Sequence, residues 1–158
     1  MRQDINVFFF LFFLEGCKLV SFFYDVFYLF CYQRFLYLVQ PGDTAIRYGI
    51  GVGRQGFDWK GNATIGRKAV WPGWTPPAEM LKRRPDLPKH MEGGIENPLG
   101  ARALYLFQGN KDTLFRIHGT NEPEKIGQGV SSGCIRMRDI DAIDLYNRVK
   151  IGAKVVVL

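Results

Sequence analysis

Histidine and cysteine are the scarcest reactive residues in this chain, two of the former and three of the latter among 158 residues. Cys17, Cys31 and Cys134 form no C-x-x-C pair, and no cysteine lies near His90. A structural zinc site needs about four thiolate or imidazole ligands at short spacings, so that class is excluded and no metal ligand set is assigned. Cys17 and Cys31 can pair with each other or stay as thiols; their spacing admits both. Lysine-rich runs and basic helices are also missing. The formal charge of +6 therefore suits an anionic partner such as a nucleic acid, an acidic membrane face or a cell-wall polymer, but nucleic-acid binding is not expected. A dinucleotide site is excluded in the same way. "GVGRQG" (51–56) satisfies G-x-G-x-x-G, yet "FDWKGNAT" comes next, and that stretch cannot open the helix the fingerprint requires.

What is present divides near residue 32. Nine of the thirteen phenylalanines lie in "INVFFFLFFLEGCKLVSFFYDVFYLF" (5–30), whereas all eight prolines and seventeen of the eighteen glycines lie beyond it. Residues 1–32 are read as a hydrophobic, helix-compatible segment with three open explanations. Residues 5–14 have the length of a signal-peptide core, and "LEGC" faintly resembles a lipoprotein cleavage box with Glu15 out of place. A membrane anchor through 5–30 is the second, although Glu15, Lys18 and Asp25 interrupt it and a central charge costs about 2.5–3.5 kcal/mol. The third is an incorrect chain start.

Residues 33–158 read as one domain of strands and turns. "RFLYLVQPGDTAIRYGIGVG" predicts a hairpin about Pro41-Gly42-Asp43, and Gly61-Asn62 predicts a turn before the next strand. Residues 71–100 hold six of the eight prolines, which predicts a long functional loop or lid with a short helix at Ala78–Arg83 behind Pro76-Pro77. "ARALYLFQG" and "TLFRIHG" predict two strands about Gly109-Asn110. "DIDAIDLYNRV" predicts a helix capped by Asp139, with Ile140, Ile143, Leu145, Tyr146 and Val149 on its apolar face, and "AKVVVL" a closing strand. Asp139, Asp141 and Asp144 are read as complements of the helix dipole rather than metal ligands. The fold class is mostly β, a β-rich mixed sheet or sandwich with one or two short helices and a Pro-rich lid.

Chemistry concentrates in "HGTNEPEKIGQGVSSGCIRM" (118–137). A lone cysteine is most often a small buried hydrophobe, and a histidine at a strand end is often an ordinary hydrogen-bonded core residue. Here, however, His118 ends a strand and Cys134 comes after the small-residue turn Ser131-Ser132-Gly133. Such a turn leaves a thiol accessible, and the amides of Gly133 and Cys134 could form an oxyanion hole. Arg136 adds a positive charge that favours a thiolate and could hold a substrate carboxylate.

The stretch "IHGT…GQGVSSGCIRM" resembles the signature of the L,D-transpeptidase (YkuD-type) catalytic domain, a family of bacterial cell-wall enzymes. "TPPAEM" and "NPLGARALYL" are similar to the segments that precede the family's site, and the resemblance runs from about Gln33 to Leu158. It implies a mostly β fold with the cysteine in a cleft beneath a lid, and no cofactor. It implies that Cys134 attacks the carbonyl between the diamino acid and terminal D-alanine of a peptidoglycan stem tetrapeptide, and that an amine resolves the thioester. His118 would be the base and acid, and the Gly119 carbonyl would orient its ring. Ser131, Ser132, Gly133 and Arg136 would line the substrate and oxyanion side. Many members carry histidine where this chain has Ser132, so any help from that second imidazole is absent. The family also usually has a further strand before Gln33, where the aromatic segment stands. The implied partners are stem peptides and an acceptor that is a second stem or an envelope lipoprotein; the implied location is the cell envelope. A hydrolase using the same site and a non-catalytic envelope-binding module are the alternatives.

Overall fold

Turn chemistry sets the first hairpin. Gly42 takes φ +73°, a conformation open to glycine, and β3 (Phe35–Gln40) returns as β4 (Thr44–Gly49). The structure is a computed structural model that describes residues 3–6, 26–30, 33–42, 44–53, 60–131 and 133–158. Two strands come from the aromatic segment: β1 (Gln3–Asn6) pairs antiparallel with β4, and β2 (Val26–Phe30) lies between β3 and the last strand, β11 (Lys154–Val157). The further strand expected before Gln33 is thus supplied from within that segment. Residues 7–25, with the "LEGC" box and Cys17, lie outside the described residues, as do Cys31, Asp43, and Arg54–Trp59, which include the end of the glycine motif. Among the described residues no helix is long and apolar enough to cross a membrane.

The long strand β6 (Gly61–Val70) leads through the loop 71–100 to the hairpin of β7 (Arg102–Gln108) and β8 (Lys111–His118). Gly61 and Asn62 lie within β6, so the turn expected there is corrected: they already pair with Val157 and Val156 of β11. The main sheet runs β1-β4-β3-β2-β11-β6-β7-β8-β10, where β10 is Ile135–Arg136, and only β2–β11 and β8–β10 pair parallel. A small parallel pair joins β5 (Val52–Gly53) to β9 (Gly129–Ser131).

Period-two alternation then sorts the side chains. Leu104, Ile117 and Ile135, in one cross-strand row, face a core that also holds Leu36, Tyr48, Ile65, Leu106, Met137, Leu145 and Val155. Each such side chain contributes about 1.5–3 kcal/mol by leaving water. Helix α1 (Ala78–Arg83) begins behind Pro77 as read from the sequence. Helix α2 (Asp139–Arg148) buries Ala142 and Leu145 against the sheet, whereas Ile140 is 70% exposed and does not belong to its apolar face. Its N-cap is Arg138, without a side-chain cap bond, so Asp139 is the first helical residue and not the cap. Lys68 of β6 fastens the other end, its ammonium donating to the carbonyls of Tyr146 (2.6 Å) and Val149 (2.7 Å).

Candidate functional site

The short parallel pairing of β10 with β8 builds the site. Arg136 lies opposite His118 and Ile135 opposite Ile117, which places Cys134, one residue earlier, at the flank of β8 near Arg116. Side chains two apart on a strand share a face, and paired residues of neighbouring strands point the same way. Arg136, Arg116 and His118 therefore stand on one face, opposite the Ile117 core row, and the Cys134 sulfur lies against the β8 backbone at Leu114 and Arg116. The motif is locked in place from the other side. Gly51 exchanges two 2.8 Å backbone bonds with Arg136, Val52 N–H donates to Gln128, and Gly127 N–H donates to Ile50. Gly133 takes φ +114°, in the half of backbone space that disfavours side chains, and this turn aims the chain into Cys134.

His118 is buried and its ring orientation is determined. Nδ1 donates to the Gly119 carbonyl at 2.6 Å. A carbonyl only accepts, so Nδ1 carries the proton and Nε2 of the neutral ring is the acceptor. Burial lowers its pKa from 6.5 to about 4, with Arg136 and Arg116 acting in the same direction and the Gly119 and Leu99 carbonyls opposing. Burial raises the Cys134 thiol above its ordinary range, while the Arg116 backbone and the charges of Arg116 and Arg136 pull it down. At rest Cys134 is therefore a thiol and His118 a neutral imidazole. The thiol lies 4.0 Å from the carbonyl of Leu114, whose backbone is left-handed at φ +64°.

The cations around the thiol have partners of their own. Arg136 bonds Glu122 at 3.0 Å, and Lys125 bonds the same carboxylate, so Arg136 is not an uncommitted receptor for a substrate carboxylate. Lys125 first, then Arg136, holds Glu122 below the usual carboxylate range against the effect of burial. Arg116 makes a two-bond pair with Asp112 (2.7 and 2.9 Å). Burial disfavours the charged form of Asp112, yet Arg116 and the Leu114 N–H together keep it below the usual range. The Tyr105 ring lies between Arg67 and Arg116 in one cross-strand row, with guanidinium carbons 4.0 and 4.4 Å from its centroid. Among the described residues no three His, Cys, Asp or Glu side chains cluster as metal ligands.

The loop 71–100 is tied down by its own bonds. Trp74 and Met91 exchange two 2.8 Å backbone bonds, and buried Asn97 donates to the carbonyls of Pro72 and Glu92 at 3.0 Å while accepting from Leu99 N–H at 2.9 Å. This brings the Leu99 carbonyl to the imidazole.

Of the residues singled out in the sequence, His118, Gly119, Gly133, Cys134 and Arg136 converge here. Ser131 ends β9 opposite Gly53, and Ser132 lies outside the described residues. Arg116, Asn97 and the true partners of Asp139 were missed. Arg116 was within reach, because it stands two residues before His118 on the same strand face. Asp139 accepts from the N–H groups of Ala101 and Thr120 with one oxygen, both at 3.0 Å. Asp141 pairs with Arg138 and Asp144 with Arg148, so these acids do more than complement a helix dipole.

Comparison with known proteins agrees on the family. The YkuD family, the L,D-transpeptidase catalytic domain, matches residues 32–157. The Escherichia coli K12 protein named "Probable L,D-transpeptidase ErfK/SrfK" is 35% identical over 132 residues, 80% of this chain and 41% of that protein. "Probable L,D-transpeptidase YbiS" from the same strain is 37% identical over 129 residues, 78% of this chain and 40% of that protein. The chain thus spans about two fifths of these relatives. A solved structure titled as a probable carnitine operon oxidoreductase from Brucella melitensis is 45% identical, covers all of this chain and 93% of its own, and has TM-score 0.62. An L,D-transpeptidase from Mycobacterium smegmatis shares the fold at TM-score 0.62 and 17% identity, covering 84% of this chain and 58% of its own. The oxidoreductase title stands apart from the family match and from the names of the curated relatives.

Proposed function

We propose, for a chain that belongs to the L,D-transpeptidase catalytic-domain family, that Cys134 and His118 carry out acyl transfer on peptidoglycan stem peptides. One observation carries the reading. The β8–β10 register brings Cys134, one residue ahead of β10, to the strand that ends in His118, whose Nδ1 is committed to Gly119 and whose Nε2 is therefore the base. Nε2 takes the thiol proton as sulfur attacks the carbonyl between the diamino acid and the terminal D-alanine. The oxyanion is received by the N–H groups of Gly133 and Cys134, with Ser131 and Ser132 as residues of the substrate side. The imidazolium returns its proton to the departing amine, D-alanine leaves, and a thioester remains. An acceptor amine then attacks, His118 takes its proton, and the thiol is restored. Arg136 favours developing thiolate charge, and the catalytic unit is residues 33–158 together with strands β1 and β2, which complete its sheet.

The acceptor amine belongs to a second stem peptide, giving a cross-link, or to an envelope lipoprotein. Such a substrate places the enzyme in the bacterial cell envelope. Incubation with tetrapeptide muropeptides and mass analysis of the products tests the reading. Dimers that have lost one D-alanine are expected, and Cys134→Ala should give none. Trimmed monomers alone would mean that water resolves the thioester and the enzyme is an L,D-carboxypeptidase. Folded wild-type protein that yields neither product would refute both and leave a binding module.

A further inference from the structure

We propose that Asp139 is a positioning residue that acts on His118 through the peptide group joining Gly119 to Thr120. That one planar group is bonded at both ends. Its carbonyl accepts the His118 Nδ1 proton at 2.6 Å, and its N–H donates to Asp139 Oδ1 at 3.0 Å. The same carboxylate oxygen receives the Ala101 N–H at 3.0 Å. Imidazole, peptide and carboxylate thus form a continuous chain, the carboxylate one peptide removed from the ring.

The close approach is built into the sequence. A Cβ at either Gly100 or Gly119 would overlap Asp139 Oδ1, so glycine at both positions lets the carboxylate reach this peptide. Helix α2 contributes by placing Asp139 in its first turn, with the side chain turned away from capping.

The physical effect arises from bond cooperativity. An anion accepting from a peptide N–H polarises the group and makes its carbonyl a better acceptor, by roughly 10–30% per bond. The stronger acceptor at Nδ1 favours the imidazolium that forms once Nε2 has taken the thiol proton. The site calls for such help, because Arg116 from β8 and Arg136 from β10 both oppose a charged ring. The Leu99 carbonyl of the loop and Ala103 of β7 also lie against His118, and neither carries charge. Asp112 and Glu122 are engaged by Arg116 and Arg136. Asp139 therefore supplies, indirectly, the anion of a three-part relay.

The proposal rests on the Cys134–His118 reading, and its test separates the two. Asp139→Asn in the full chain keeps an oxygen that accepts both N–H groups and removes the charge. Alkylation of Cys134 by iodoacetamide, monitored across pH by mass of the Cys134 peptide, reports the thiolate without any peptidoglycan substrate. For Asp139→Asn we expect alkylation at neutral pH to slow about tenfold, one unit of acidity, with the profile moved to higher pH. In muropeptide turnover kcat should fall by a similar factor with KM unchanged. Should the Asn variant not fold, Asp139→Ser, which also keeps an oxygen without charge, is measured in the same way. A wild-type alkylation profile and kcat in a folded charge-free variant would overturn the proposal and leave Asp139 a structural tie. Wild-type protein whose alkylation depends on Asp139 but which turns over no muropeptide would sink the substrate reading and keep the relay.

Discussion

Acidification should unfold this protein partly through one buried ring, and the size of the effect can be worked out. His118 is only 4% exposed and burial, its largest influence, lowers its pKa from 6.5 to about 4. In the unfolded chain the imidazole gains a proton below about 6.5; in the folded protein it does so only below about 4. Between those values the unfolded state binds more protons, so stability rises with pH across the interval. The contribution is complete above pH 6.5 and is lost as pH falls through 4. At 1.36 kcal/mol per unit, the loss between pH 8 and pH 4 is about 3 kcal/mol. The assay is urea unfolding at pH 8, 6.5, 5 and 4 on wild type and His118→Gln. Asp112 and Glu122, both held below the usual carboxylate range, titrate in both proteins, so the difference in slope isolates His118. Wild type should lose about 3 kcal/mol more than the variant over that range. Parallel stability curves would refute the claim that the ring is buried neutral.

Three further outcomes rest on named contacts. Asn97→Ala leaves the Pro72 and Glu92 carbonyls and the Leu99 N–H without their partner, costing about 2–4 kcal/mol in urea unfolding. It should also open the 71–100 loop to limited proteolysis, and an unchanged cleavage rate would argue against Asn97 as its clasp. Lys68→Met removes two charge-assisted bonds to the end of α2 and should destabilise by about 2–3 kcal/mol. A loss near zero would mean that water replaces them. Gly133→Ala places a side chain at φ +114° and should cost about 1–3 kcal/mol. Because it turns Cys134 away, it should also slow Cys134 alkylation far more than global stability accounts for; unchanged alkylation contradicts that role.

What could be read from the chain alone was local. The β3–β4 and β7–β8 hairpins rest on turn residues a few positions apart, and α1 on a proline pair directly ahead of it. His118 and Cys134 were legible because their separation is bridged by glycine turns that have few other uses. The pairings that make the site were not. The parallel contacts β2–β11 and β8–β10 join segments whose hydrophobic patterns carry no mark of their partner. Asp139 shows the limit most clearly. Local capping rules favour Asp at a helix start, yet two buried N–H groups from distant loops took its carboxylate instead. Ile140 fits helical spacing, but the helix axis leaves it facing water.

The central claim is that Cys134 forms an acyl-enzyme with help from His118, and the most direct measurement is intact mass after incubation with imipenem, with the adduct mapped by peptide. One adduct is expected, on Cys134, absent in Cys134→Ser and formed roughly 10²–10⁴-fold more slowly in His118→Ala. A folded wild-type protein that gains no mass, or an adduct that survives in Cys134→Ser, would contradict it.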